Sequence, residues 1–298
     1  MSLGPSPGLV RLATRSSPLA MHQSQIVARA LETAHPGLRT ELVEVSTTGD
    51  RRSEEPLSVL GGQGIFVKEV QQAVLDGRAD VAVHSAKDLP STSPEGLEIA
   101  CVPGREDPAD ALVGRSLAGL GPGATIATGS PRRRALLASL RPDLNFVELR
   151  GNMARRIEAA GLDGVDAVVV AVAALSRLGA LSQVAERLEP EIFTPQVGQG
   201  ALAVEACVGG EPAALLEAID DPSSHRCLEA ERAFLVGIGA GCLVPAGAWC
   251  TEEAGVLTLR SFMARSEEVI QRSELQGIDP GLLGHGAAHA LGGAHPSH

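Results

Sequence analysis

The chain contains no tyrosine, one tryptophan (Trp249) and five phenylalanines, so aromatic residues make up only 2% of its 298 positions. Lysine is nearly absent as well: Lys68 and Lys87 are the only two among 25 basic residues, the rest being arginine. The net charge is −11. Proteins that read nucleic acid combine a basic surface with aromatic side chains for base stacking. An acidic chain this poor in rings has neither in bulk, so no nucleic-acid partner is expected, and a small acidic ligand in a local basic pocket fits better. The five cysteines (Cys101, Cys207, Cys227, Cys242, Cys250) are odd in number, scattered and without C-x-x-C spacing, which argues against a disulfide framework or a zinc site. No metal is expected. The longest apolar run, 167–175, falls far short of the roughly 20 residues that span a bilayer. Residues 1–8 show no basic segment leading into an apolar one, so no secretory signal and a cytoplasmic location are expected, with no membrane partner.

The remaining composition, 44% hydrophobic and 20% charged, is that of an ordinary soluble protein long enough for two or three domains. Against it stands the segment 128–156. Seven arginines (Arg132, Arg133, Arg134, Arg141, Arg150, Arg155, Arg156) face two acids (Asp143, Glu148) there, a local charge of seven minus two, or +5. Ser130-Pro131 reads as an N-cap and first helical residue, which puts Arg132–Arg134 in a first turn where the helix dipole repels cations. Arg155 and Arg156 follow Arg150-Gly151-Asn152 in a similar setting. Cations placed twice where the backbone disfavours them point to a bound anion. The competing readings are a solvated charged face and an arginine bias of the whole composition.

Short apolar runs alternate with helical stretches. Strands are predicted at 9–13, 40–45, 81–84, 97–101, 125–127, 146–149, 167–171 and 201–206, and helices at 18–33, 66–76, 131–139, 153–160, 173–178 and 224–237. This alternation predicts α/β domains with largely parallel sheets. Leu12-Ala13-Thr14-Arg15-Ser16-Ser17-Pro18 echoes Ile126-Ala127-Thr128-Gly129-Ser130-Pro131 with one inserted residue. Both read as strand, polar turn, Ser N-cap, Pro, helix. Two similar domains facing one cleft are expected, Arg15 and Ser17 on one wall and Ser130, Arg132 and Arg133 on the other. Pro103-Gly104 marks a first boundary and Pro195 through Gly200 a second crossing. The expected division is 1–103 with 199–220, then 104–198, then 221–298. Apolar runs at 244–249, 256–262 and 269–275 predict a small antiparallel sheet in the last domain. The Gly-, Ala- and His-rich tail from Asp279 reads as a solvated end rather than a metal site.

Three further segments carry chemistry. His84-Ser85-Ala86-Lys87-Asp88 follows a buried-type strand, at the carboxyl end where α/β sites lie. A carboxylate beside Lys87 keeps its charge and can hold a developing cation or move a proton; a surface ion pair in a turn is the alternative. Gly239-Ala240-Gly241-Cys242 leaves a thiol among small neighbours, open to covalent attachment or simply packed as a small hydrophobe. Gly61-Gly62-Gln63-Gly64 precedes Phe66 without the Lys-Ser/Thr ending of a phosphate loop, so it reads as a lid rather than a nucleotide site. Phe66 is expected to pack in the core or stack on a ring.

In their order, these segments resemble the hydroxymethylbilane synthase (porphobilinogen deaminase) family. The matching stretches are A-T-R-S-S-P-L-A (13–20), G-G-Q-G-I-F-V-K-E (61–69), A-V-H-S-A-K-D-L-P (82–90), S-P-R-R-R (130–134), L-R-G-N (149–152), A-A-L-S-R-L-G (173–179), V-G-Q-G-A (197–201) and G-C-L-V-P (241–245). The resemblance implies two periplasmic-binding-protein-like α/β domains with a double crossover, plus a small α+β C-terminal domain with a three-stranded antiparallel sheet. It implies a transferase of tetrapyrrole biosynthesis, a monomer, that joins four porphobilinogen molecules head to tail. Ammonia leaves at each step, and hydrolysis then frees the linear product. The primer would be a dipyrromethane cofactor attached to Cys242. By the same resemblance Asp88 and Lys87 are catalytic, Asp88 stabilising the electron-poor azafulvene. Arg15, Ser17, Gln23, Phe66, Ser85, Ser130, Arg132, Arg133, Arg150, Arg156, Arg177 and Gln199 would hold cofactor and substrate. The fit is chemical: every porphobilinogen ring carries an acetate and a propionate, and the planar guanidinium grips carboxylates bidentately. The chain departs from the family at Gln63, where lysine is usual and for which Arg51 or Arg52 would substitute, and at Ala240, where glycine is frequent. The rival reading is a non-catalytic, two-lobed anion-binding protein.

Overall fold

The structure, a computed structural model, describes residues 8–51, 66–239, 245–266 and 269–293. In chain order it has β1 (Leu9–Arg15), α1 (Pro18–Ala34), β2 (Arg39–Val45), α2 (Thr48–Arg51), α3 (Lys68–Leu75), β3 (Val81–Ser85), β4 (Leu97–Cys101), β5 (Asp110–Gly114), β6 (Thr125–Ala127), α4 (Pro131–Leu140), β7 (Asn145–Val147), α5 (Met153–Ala159), β8 (Ala167–Ala171), α6 (Val172–Arg177), β9 (Val184–Leu188), β10 (Leu202–Cys207), α7 (Glu211–Leu216), α8 (Pro222–Gly237), β11 (Ala246–Glu253), β12 (Val256–Ala264), β13 (Ile270–Gly277) and α9 (Pro280–Ala290). The chain divides into two compact units. Among the described residues, the first runs to Arg105 and resumes at Ala201–His225, and the second comprises Glu106–Gly200 and the chain from Arg226 onward.

Both α/β sheets share one plan. The first has the order β2-β1-β3-β10-β4 and the second β7-β6-β8-β5-β9. In each, the first three strands pair in parallel, the fourth is antiparallel to both its neighbours, and the fifth again points the way of the first three. The sheets are therefore mixed, not largely parallel. The reason is the connectivity: β5 and β10 are the first strands after each crossing between units, and each enters its sheet from the opposite direction. The expected repeat falls on equivalent places, because β1–α1 and β6–α4 both start from the strand second in order. Ser17 caps α1, accepting from the Ala20 amide at 3.3 Å, and Ser130 caps α4, accepting from the Arg133 amide at 3.4 Å. Both helices have proline in the first turn. Such caps contribute about 1 kcal/mol each.

Apolar side chains fill both faces of each sheet. Leu12, Val83 and Val204 pack on one side of the first, Ala13, Ala82 and Val70 on the other. In the second, Leu112, Ile126 and Val169 oppose Ala111, Ala127 and Val168. All five residues of β8 are buried, as expected of a strand covered on both faces. The C-terminal strands form the antiparallel sheet β11-β12-β13, with Phe234 of α8, Leu257, Leu259 and Leu283 in its core.

Two strands, β5 and β9, and three helices, α2, α7 and α9, lie where no element is predicted. The tail is a correction: from Pro280 to Ala290 it is helical, with Leu283, Gly284, Ala287 and Ala288 buried. Glycine disfavours a helix by about 1 kcal/mol, but Gly284 is where α9 meets α8. A Cβ there would come within 2.3 Å of the Ala230 carbonyl oxygen, so only glycine permits the approach. No helix of the described residues is long and apolar enough to cross a membrane.

Candidate functional site

In the first unit, Arg15 ends β1 and Asp88 sits in the tight turn that follows β3. These strands are parallel neighbours, so both side chains lie at the carboxyl ends of the sheet. One Nη of Arg15 is 3.9 Å from an Asp88 carboxylate oxygen, and the Asp88 side chain keeps 36% of its surface exposed. The Arg15 guanidinium also lies over the Phe66 ring, 4.2 Å from its centroid, which fixes both groups. Ser85 Oγ meets the Gln23 side-chain amide at 2.8 Å, tying β3 to α1. Arg15, Ser17, Gln23, Phe66, His84, Ser85 and Asp88 line one pocket of about 50 Å3. Drug-sized ligands fill roughly 300–1,000 Å3, so this pocket admits a carboxylate or the edge of one ring. Lys87 is half-buried in the same turn, and Arg15 is a cation 3.9 Å from Asp88.

Beneath the pocket lies a carboxylate that the sequence reading passes over. Glu205 of β10 is fully buried, accepts from Gln71 and Ser93 at 2.8 Å each, and has an oxygen 3.2 Å from His84 Nε2. Burial opposes its ionisation, but His84, Gln71 and Ser93 together outweigh that and hold its pKa below the ordinary glutamate value.

In the second unit the first-turn arginines of α4 turn inward. Asp110, at the start of β5 and paired with Ala171 at the end of β8, is fully buried. Arg132 Nη2 donates to one of its oxygens. Arg133 Nε and Nη2 donate to the other at 3.1 and 2.7 Å, and Gln199 Nε2 joins them at 3.0 Å. Backbone carbonyls accept the next donors: Thr194 from Arg132 at 2.8 Å, Val169 from Arg133 at 2.9 Å and Pro108 from Gln199 at 2.7 Å. The anion that these arginines grip is thus internal, which corrects the inference that their position alone requires an external one. Burial alone would raise the Asp110 pKa; the two guanidinium groups overcome this and hold it well below the carboxylate range. One carboxylate serves two cations, so the cluster retains a charge of +1. Arg132 Nε, and Nε of Arg177, are buried without a hydrogen-bond partner among the described residues. Arg177 is anchored by its Nη2, which donates to the Gly200 carbonyl at 2.7 Å.

The other expected residues lie nearer the surface of this unit. Arg150 pairs with Glu148 at 2.9 Å. Arg156 Nε donates to the Gly151 carbonyl at 3.0 Å, and Asn152 caps α5. Cys242, Ala240, Gln63 with the lid loop and Arg52 lie outside the described residues. No cluster of three or more metal-ligating side chains occurs among those described. Asp110 and Glu205 were missed because their function is internal. The available signal was a lone acid inside an apolar strand, A-D-A-L-V for one and L-A-V-E-A for the other.

A double-crossover α/β protein, with Arg15 and a partly exposed carboxylate where the parallel strands of its first unit end and buried arginines in its second, is the class that this geometry defines. The sequence pattern described as "Porphobilinogen deaminase, dipyromethane cofactor binding domain" matches residues 10–213. The porphobilinogen deaminase of Roseiflexus castenholzii is 43% identical over 286 residues, covering 94% of both chains. That of Lachnospira eligens is 42% identical over 290 residues, 95% of this chain and 98% of its own. The chain belongs to the porphobilinogen deaminase family. Among solved structures, the methionine binding protein MetQ is similar with a TM-score of 0.45 at 11% identity, covering 73% of this chain and 90% of its own.

Proposed function

We propose that this chain is a hydroxymethylbilane synthase, a transferase that condenses four porphobilinogen molecules onto a dipyrromethane primer with release of ammonia and then hydrolyses the product free. Family membership supports the activity. The observation that carries the site is the Arg15–Asp88 pair, at strand ends in a pocket that admits the edge of a ring. In this reading Arg15, Ser17 and Gln23 orient an incoming ring through its carboxylates. Asp88 accepts hydrogen bonds from the pyrrole N–H, places negative charge against the cation that forms as ammonia leaves, and moves protons with Lys87. Phe66 supplies a flat wall and Ser85 a donor.

The residues also fit the cofactor. A dipyrromethane carries the acetates and propionates of two rings, and the second unit offers a buried surplus cation and guanidinium Nε atoms with no hydrogen-bond partner among the described residues. We assign Ser130, Arg132, Arg133, Arg150, Arg156 and Arg177 to its carboxylates, with Gln199 holding Asp110 in place. When bound, the cofactor supplies the pyrrole carbon to which new rings are joined. Cys242 is the proposed attachment point. Cys101, Cys227 and Cys250 are buried, and burial followed by the nearby Asp220 pushes the Cys101 thiol up to about 12, where it is a poor nucleophile. The same proposal comprises three domains, with the last carrying Cys242, and a cytoplasmic monomer with porphobilinogen as its small-molecule partner. The rival, a non-catalytic anion binder, is not favoured by relatives named as deaminases over nearly their whole length.

Intact-mass spectrometry tests the attachment. The active protein should exceed its sequence mass by two pyrrole units, and Cys242→Ser should lack the increment. An unmodified wild-type mass that stays so after incubation with porphobilinogen overturns the reading.

A further inference from the structure

Besides the end of β1 and the start of α1, three segments wall the pocket of the first unit: the end of β3, the turn bearing Lys87 and Asp88, and the approach to α3 with Phe66 and Val67. All three are fastened from below to one carboxylate. His84 comes from β3, Ser93 from the chain just beyond the Asp88 turn, and Gln71 from α3. They converge on Glu205, at 3.2, 2.8 and 2.8 Å. Glu205 itself is rigidly placed, on the strand that lies between β3 and β4, with Ala203 opposite His84 and Glu205 opposite Ala82. Gln71 and Ser93 donate to different oxygens of Glu205, which a carboxylate accepts on both sides and an amide does not.

We infer that Glu205 is a positioning residue for the reaction: it holds the Asp88 turn in register and fixes the proton on His84 Nε2. Electrostatics places the proton. Nε2 is buried, has no well-aligned hydrogen-bond partner among the described residues, and lies 3.2 Å from a Glu205 oxygen. The contact is at ion-pair distance without the alignment of a good hydrogen bond. A bare nitrogen lone pair facing that oxygen would be repelled, whereas an N–H is attracted. The ring's other nitrogen belongs to the side chain that lines the pocket. Loss of the carboxylate should therefore disturb the turn and the histidine together. The catalytic part of this inference rests on the role proposed above for Asp88; the proton on His84 does not.

The test is Glu205→Gln in the cofactor-loaded enzyme, read in two ways. Nitrogen-15 NMR of the histidine rings, assigned with His84→Gln, should find a hydrogen on Nε2 of His84 in the wild type and its signal moved in the variant. Steady-state kinetics should show kcat reduced about 10- to 100-fold, as for a misplaced catalytic group, with KM nearly unchanged, and Glu205→Asp should recover part of the loss. An unmoved His84 signal or a wild-type kcat in folded Glu205→Gln overturns the inference. If that variant does not fold, Ser93→Ala removes only the tether to the Asp88 turn. It should also lower kcat at constant KM, and full turnover there is likewise fatal. A displaced His84 signal together with a fully active Asp88→Asn enzyme would leave the anchoring intact and refute instead the role given to Asp88.

Discussion

Asp110→Asn should destabilise the protein by about 3–5 kcal/mol, the usual cost of removing one partner from a buried ion pair. The expectation is at the upper end because two guanidinium groups depend on this one carboxylate. Arg132 and Arg133 would then stand as two uncompensated cations in the interior, and Gln199 would lose an acceptor. The effect is measured as the free energy of urea unfolding, and a change below about 1 kcal/mol would show that the cluster is not an electrostatic unit. A second signature is pH dependence. Asp110 is depressed in the folded state, so the stability it contributes is present above the unfolded aspartate value near 3.9. It is lost as pH falls from there through the lower folded value. The wild type should therefore lose stability more steeply than Asp110→Asn on acidification below about pH 4, and the two curves should converge.

The second large effect concerns rate rather than folding. Asp88→Asn keeps the shape and the hydrogen-bonding reach of the side chain but removes its charge. Asp88 is over a third exposed and Arg15 is 3.9 Å away, so stability should change by no more than about 0.5 kcal/mol. Ammonia release from porphobilinogen should fall by roughly 100- to 1,000-fold, the range for losing one preorganised electrostatic contact to a transition state. Near-normal turnover by a folded, cofactor-loaded Asp88→Asn protein would refute the assignment. Asp88→Glu should fall between the two, because it restores the charge but not its position.

Much of this was legible in the sequence where local chemistry and periodicity agree. Ser17-Pro18 and Ser130-Pro131 announced both helix starts, and the apolar runs at 81–84 and 167–171 announced the central strands. β5 was not legible because it begins with a charged residue that only the folded partners make tolerable. β9, V-A-E-R-L, sits at a sheet edge and alternates burial too briefly to stand out. In α9 the local propensity of three glycines opposes the helix, and packing on α8 overrides it. The site divides in the same way. Arg15, Ser85 and Asp88 fall at strand ends, and strand ends can be read from pattern. That Arg132 and Arg133 face inward toward Asp110 depends on contacts across more than twenty residues, which no local pattern encodes.

The place of β10 sets a limit on how this chain can be cut. Its partners β3 and β4 are synthesised about a hundred residues earlier, while every strand of the second sheet comes from the single stretch between Asp110 and Leu188. A nascent or truncated polypeptide ending before Leu202 therefore holds β3 and β4 with a missing strand between them. Each presents a raw edge open to pairing with another molecule. The segment carrying Arg15 and Asp88 becomes a closed sheet only after the whole intervening half has left the ribosome.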